Sequence, residues 1–196
     1  MLDLYGAEPV GSAFAFLTPQ IRPGSNVSMA KKNLARAPKA PTASRPSLPG
    51  AYGVPKDLKG SVSWAWAKKR LTDSHNYLIT TVRPDCRPHT MIVWGIWLDN
   101  AYYFSTGRAS RKAQNLAANP NCLVCNENVE EAVIVEGTAQ SLKVSEIPKR
   151  AFPLYFKKYG WKLDPEMGNI YKLTPGKVIA MPEKLFPKGA TRWTFA

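Results

Sequence analysis

The sequence predicts a small antiparallel β-barrel flanked by a few short helices. About six β-rich runs follow one another without the long intervening helices of a parallel sheet. The turns Pro84-Asp85-Cys86-Arg87 and Asp99-Asn100 make two successive hairpins, hence an antiparallel meander. A 44% apolar fraction with 6 Trp, 8 Tyr and 7 Phe supplies a core that a disordered chain lacks. At 196 residues the chain holds one compact domain with a tail, or at most two very small ones.

Each element has its own signal. Residues 1–60 hold 8 of the 17 prolines and carry 8 Lys and Arg against 3 Asp and Glu, and residues 31–49 offer almost nothing to bury. They read as a disordered or extended tail, either a solvated linker or an anion-seeking arm, ahead of a domain at 61–196. Trp64, Ala67, Lys68 and Leu71 fall at helical spacing behind the candidate caps Ser61 and Ser63. Residues 76–83, 88–98 and 101–106 are strands of the meander. Ser110 caps a helix striped by Ala113, Leu116 and Ala117 and stopped at Asn119-Pro120. Residues 121–127 and 132–142 form a further strand pair around an acidic turn. Ser145 is expected to cap a helix carrying Ile147, Ala151, Tyr155 and Tyr159, with a kink at Pro153. Residues 170–181 and 191–195 close the chain as strands.

Charge and cysteine content narrow the function classes. The net charge of +13 asks for an anionic partner. No apolar run approaches the roughly 18 residues of a membrane span. Three cysteines cannot build a disulfide framework, and no secretory signal is legible, so a cytoplasmic protein is expected. Basic residues do not alternate with aromatics along one strand face, which disfavours nucleic acid. With only His75 and His89, a His-rich metal site is excluded, and no nucleophile elbow or Gly-rich nucleotide loop appears. Cys122 and Cys125 have metal-knuckle spacing, but on a strand they face opposite ways; they read as small apolar residues, not ligands. His89, beside a proline at a strand start, reads as structural. No metal site and no catalytic residue is assigned.

The strongest local signal is the strand–loop–helix that contains Ser105, Thr106, Ser110, Arg111 and Lys112. A helix start offers unpaired N–H groups and partial positive charge, and here two cations and three hydroxyls join it. Those groups suit a phosphate monoester: Arg for bidentate contact, Lys for charge, hydroxyls for the remaining oxygens. The alternative is a surface helix with a basic first turn, which would oppose the helix dipole.

On these residues the sequence resembles the pyridoxamine 5′-phosphate oxidase-like family of flavin-binding split β-barrels. The resemblance runs from about Trp64 to Phe195. It is carried by Thr81-Val82-Arg83-Pro84-Asp85-Cys86-Arg87-Pro88-His89, Val93-Trp94-Gly95-Ile96-Trp97-Leu98-Asp99 and Tyr103-Phe104-Ser105-Thr106-Gly107. Ser110-Arg111-Lys112-Ala113, Val135-Glu136-Gly137-Thr138-Ala139 and Thr191-Arg192-Trp193-Thr194-Phe195 complete it. It implies a six-stranded antiparallel Greek-key split barrel that works as a homodimer with two flavin sites at the subunit interface. By position, the phosphate ligands fall on Ser105, Thr106, Arg111 and Lys112, beside Ser110. The strand along the flavin ring falls on Met91, Ile92, Val93 and Trp94, and a C-terminal arginine that reaches the flavin falls on Arg192.

The resemblance implies FMN as cofactor, with the 8-hydroxy-5-deazaflavin coenzyme (coenzyme F-420) as the alternative, and hydride transfer with a small conjugated substrate. Departures at Ile96, Ala132, Lys188 and Ala190 set this chain apart from enzymes that oxidise pyridoxamine phosphate. A non-catalytic split-barrel binder of flavin, haem or nucleic acid is the competing reading. The aromatic surplus predicts a second subunit over Trp94, Trp97 and Trp193, with the barrel interior as the alternative place for these rings.

Overall fold

A computed structural model of the chain describes residues 40–195. It contains nine strands: β1 (Thr42–Ser44), β2 (Tyr77–Val82), β3 (Pro88–Val93), β4 (Gly95–Leu98), β5 (Ala101–Thr106), β6 (Asn121–Asn126), β7 (Glu131–Ser141), β8 (Asn169–Pro182) and β9 (Thr191–Thr194). Three helices accompany them: α1 (Trp64–Asp73), α2 (Arg111–Ala118) and α3 (Ala151–Tyr159). All pairings are antiparallel, in the order β1-β9-β8-β7-β6-β2-β3, with β5 joining β8 to β4. The hydrogen-bonded path therefore runs from β4 to β3, which are consecutive in the chain, and the sheet curls back on itself like a barrel.

Long β8 divides the sheet. One edge pairs with β7 throughout, while the other gives its first part to β5 and its second to β9. The division falls at Pro175, which has no N–H to donate, opposite a register shift between Glu136 and Gly137. A Cβ on Gly137 would lie 2.2 Å from the Thr174 carbonyl oxygen, so only glycine admits this corner.

Alternation decides the layers. Tyr77, Ile79, Val93, Phe104, Val124, Val135, Leu173 and Trp193 point inward with Ala67 and Leu71 of α1 and Leu116 of α2. A second cluster joins Ile96, Leu98 and Tyr103 to Ile147, Ala151, Tyr155 and Leu163, so α3 covers the outside of β4 and β5. Strand β4 is buried throughout, which is why its sequence reads as a continuous apolar run.

Several expectations are corrected. The strand expected at 88–98 is two strands broken at Trp94, and β1 forms within the expected tail, so the count is nine, not six. Only a short 3-10 turn (Val144–Glu146) forms at Ser145; α3 begins at Ala151 after Pro148. Pro153 lies in its first turn, where a missing N–H costs nothing. Trp97 and Trp193 are 6% and 2% exposed and fill the interior, while Trp94 is 40% exposed. Asp99 and Asn100 both adopt left-handed backbone, as a two-residue hairpin turn requires, and Cys86 does so after Pro84-Asp85.

The tail boundary also moves. Residues 1–39 lie outside the described residues, but β1 pairs with β9 at the sheet edge. Beside it the Arg45 guanidinium donates to the carbonyls of Asp57, Lys59, Lys188 and Ala190, at 2.5 to 2.9 Å. Residues 42–59 are thereby held to the C-terminal segment. Arg45→Ala should cost about 2 kcal/mol, because charged hydrogen bonds to carbonyls are lost, and lower the melting temperature by roughly 5 °C. Unchanged thermal unfolding would show that the segment is held without this side chain.

Candidate functional site

The break at Trp94 opens the site. Gly95 packs so closely on β5 that a Cβ would lie 2.3 Å from the Tyr102 ring and 2.6 Å from the Tyr103 carbonyl oxygen. Strand β4 follows β5, whereas β3 stays on β2 with its other edge unpaired in the sheet. That edge faces a cavity of about 410 Å³ lined by Ile92, Val93, Trp94, Ser105, Thr106, Gly107 and Lys112 on one side. Tyr155 of α3 and the following loop, with Trp161, Leu163, Asp164 and Met167, make the opposite wall. The volume lies within the ordinary range for small-molecule sites.

The polar end is built at the start of α2. Ser110 Oγ accepts from the Ala113 N–H at 3.2 Å and shares a 2.9 Å hydrogen bond with Thr106 Oγ1. Ser110 therefore caps the helix and fixes Thr106 without lining the cavity. No acidic residue occupies the first turn, and Arg111 and Lys112 stand there instead. Among the described residues neither makes an ion pair. Burial without a counter-ion pulls the Lys112 ammonium below its ordinary range. An anion here would relieve both the dipole and the two cations.

Not all expected site residues converge. Ile92, Val93, Trp94, Ser105, Thr106 and Lys112 line the one cavity. Met91 is 48% exposed on β3 outside the lining, and Arg111 is exposed at the helix start. Arg192 lies on β9, where its Nε donates to Ser44 Oγ at 2.9 Å, so within this chain it does not reach the cavity. Cys122 is buried and Cys125 half-buried on opposite faces of β6, and no cluster suited to a metal occurs among the described residues.

The far wall was not anticipated from the sequence, because residues 160–168 carry no period. Its fixings are backbone contacts: Arg108 donates to the carbonyls of Pro165 and Glu166, and Gly168 lies against the Thr106 carbonyl. The adjoining wall depends on Lys158 and Tyr159. Lys158 Nζ donates to Tyr77 Oη at 2.7 Å and to the carbonyls of Thr72 and Gly95. The Tyr159 hydroxyl accepts from the Gly95 N–H, and its ring stacks on Trp94 with centroids 4.8 Å apart.

Burial lowers the Lys158 ammonium from 10.5 to about 8, against the opposing pull of Asp73 and Glu127. The folded chain sheds this proton near pH 8 while the unfolded chain keeps it to about 10.5, so the residue adds stability as pH rises through that window. In urea unfolding at pH 7.5 and at pH 10, wild type should gain on Lys158→Met at the higher pH. A difference independent of pH would contradict this burial of the ammonium.

Known proteins fit this architecture. General Stress Protein 26 from the Sterne strain of Bacillus anthracis is 23% identical, with 60% of this chain and 92% of that one covered at a TM-score of 0.50. A heme binding protein from Mycobacterium smegmatis is 14% identical, covering 62% and 55%, at 0.52. A conserved hypothetical protein from Mycobacterium tuberculosis is 19% identical, covering 63% and 87%, at 0.54. At these identities the likeness is one of fold alone. No curated protein matches the chain. The family model described as pyridoxamine 5′-phosphate oxidase matches residues 66–181, more than half of the sequence, and the chain belongs to that family.

Proposed function

We propose that this chain is a flavin- or deazaflavin-dependent oxidoreductase that holds the phosphate of its cofactor at the start of α2. The observation that carries the reading is the single cavity joining the unpaired edge of β3 to a capped helix start with uncompensated Lys112. FMN is the first candidate and the 8-hydroxy-5-deazaflavin coenzyme the second; both present a flat ring and a phosphate. Ser105, Thr106, Arg111 and Lys112 would hold the phosphate. The free edge of β3 offers N–H and C=O groups to the polar rim of the ring. Trp94, stacked on Tyr159, gives the ring a rigid apolar neighbour.

When bound, the cofactor supplies hydride chemistry; the chain binds, orients and shields it. Tyr155, Leu163 and Met167 give the far wall an apolar surface suited to a small conjugated substrate, and Asp164 adds an acceptor there. Pyridoxamine phosphate is not the substrate proposed. Ile96 is 4% exposed among residues packed on α3, and Ala190 is fully buried, so neither position offers a polar contact. A haem-binding role has less support, because the described lining residues include no histidine or cysteine, and burial holds the Tyr155 phenol above its ordinary range, against the phenolate an iron would need.

The proposal includes a homodimer. Across the outer face of the sheet, register places Ile92, Leu78, Cys125, Ile134, Ile179 and Arg192 in one transverse row. Its first five members are apolar, and Leu78 and Ile92 are 37% and 64% exposed. A second copy over this row would shield them and bring its Arg192 towards the flavin.

The test is FMN titration of wild type and of Arg111→Ala with Lys112→Ala. Losing two charge-assisted contacts of roughly 1.5–3 kcal/mol each should weaken binding at least tenfold, while the melting temperature without ligand does not fall. Equal affinities for FMN, and likewise for the deazaflavin, would remove the phosphate assignment.

A further inference from the structure

His89 reads from the sequence as a structural histidine, yet the fold sets it against the anion site. It pairs with Thr81 across β2 and β3, and opposed residues of an antiparallel pair share a face. Thr81 is fully buried on that face, where its Oγ1 accepts from Asn115 Nδ2 of α2 at 2.9 Å. Arg111 lies one helical turn before Asn115 on the same side of α2. Arg83 leaves the end of β2 beside them. Three buried polar atoms in this corner have no partner: His89 Nδ1, Arg83 Nε and Asn115 Oδ1, of which only the last is a neutral acceptor and none is a carboxylate. The acid of the adjoining turn, Asp85, is already bound to Arg87. Four basic side chains thus surround one corner with no carboxylate assigned to them among the described residues.

We propose that His89 and Arg83 complete the anion site from the β-sheet side, and that His89 takes up a proton when a phosphate dianion binds. This rests on the phosphate assignment above and sharpens it: the site selects a doubly charged phosphate monoester over neutral and singly charged ligands. Without ligand, burial and then the charges of Arg83, Lys112 and Arg111 hold the imidazole below the usual histidine range. Those three are the charged groups facing it, one from the end of β2 and two from α2, while Thr81 and Asn115 are neutral. A dianion among them reverses the local field, so the imidazolium becomes the favoured form and the orphaned Nδ1 gains a role as donor. One proton then moves from solvent to His89 for each phosphate bound.

The chain has only two histidines, so both can be followed by NMR titration of the full-length protein, with His75→Gln for assignment. Inorganic phosphate and FMN should each raise the His89 pKa by at least one unit, a tenfold gain in proton affinity. Riboflavin, which lacks the phosphate, should not. Inorganic phosphate should leave His75 unmoved. Comparing wild type with His89→Gln cancels the titration of the ligand itself. Their FMN affinities should differ about tenfold at pH 6 and converge by pH 8. A His89 pKa unmoved by either probe, whether or not FMN binds, overturns the proposal. If inorganic phosphate shifts His89 but FMN does not bind, the flavin reading falls and the anion site stands. If FMN binds with His89 unmoved, the reverse holds.

Discussion

The contact of Gly95 with Tyr102 and Tyr103 is the constraint from which the site follows. No side chain larger than hydrogen fits there, so glycine is what lets β4 lie this close to β5 once the chain leaves the β2 ladder at Trp94. The break has three effects at once. It leaves β3 with a free edge, turns Trp94 outward, and exposes the Gly95 peptide to Tyr159 and Lys158 of α3. Strand β2 is used up at the Tyr77–Val93 pair, so the chain beyond has no partner there and takes β5 instead. At the break, Tyr159 and Lys158 of α3 satisfy the N–H and carbonyl of Gly95.

Much of this was legible in the sequence, and the failures have physical causes. Tight turns betray hairpins because few residues tolerate left-handed backbone, and Asp99-Asn100 behaves accordingly. The cap at Ser110 was legible because its hydroxyl has a fixed local partner. The split at Trp94 was not, since the close approach that makes Gly95 necessary is to Tyr102, which alternation alone does not set against it. Nor was β1: three residues in a Pro-rich stretch carry no period, and what anchors them is one arginine reaching carbonyls more than 140 residues away. Composition suggested that tryptophans would meet a partner. Two of the three proposed instead pack around Trp64, with ring centroids 5.4 to 6.0 Å apart, and the apolar residues left outside are mostly aliphatic.

The candidate site shows the same division between local and distant signals. Ser105, Thr106 and Lys112 were recoverable because strand, loop and helix start adjoin in the chain. Trp161, Asp164 and Met167 were not, because they come from a loop whose place is fixed by Arg108 and Gly168. Arg192 shows what a single chain leaves undecided. The register of β9 on β8 directs it to the outer face beside Ser44, away from this chain's own cavity, and the role the resemblance implied for it belongs to a site shared by two subunits.

The electrostatics at α2 run against what stability alone would select. A helix start favours carboxylates, and an acidic first turn would contribute a few tenths of a kcal/mol or more. This chain places Arg111 and Lys112 there, strips water from Lys112, and sets Arg83 and His89 opposite. Some other cations are paired, Arg70 with Glu131, Arg87 with Asp85 and Lys177 with Glu136, and Arg45 and Lys158 are satisfied by neutral oxygens. What sets the start of α2 apart is that two cations stand together at a helix N-terminus, where an anion would relieve both them and the dipole. Repulsion left unrelieved in the free protein becomes affinity when an anion binds, since every unfavourable pair at the site is screened or reversed together. The same cations would make the free domain less stable, and the buried capping, the Thr81–Asn115 bond and the packing of α2 on the core offset that cost.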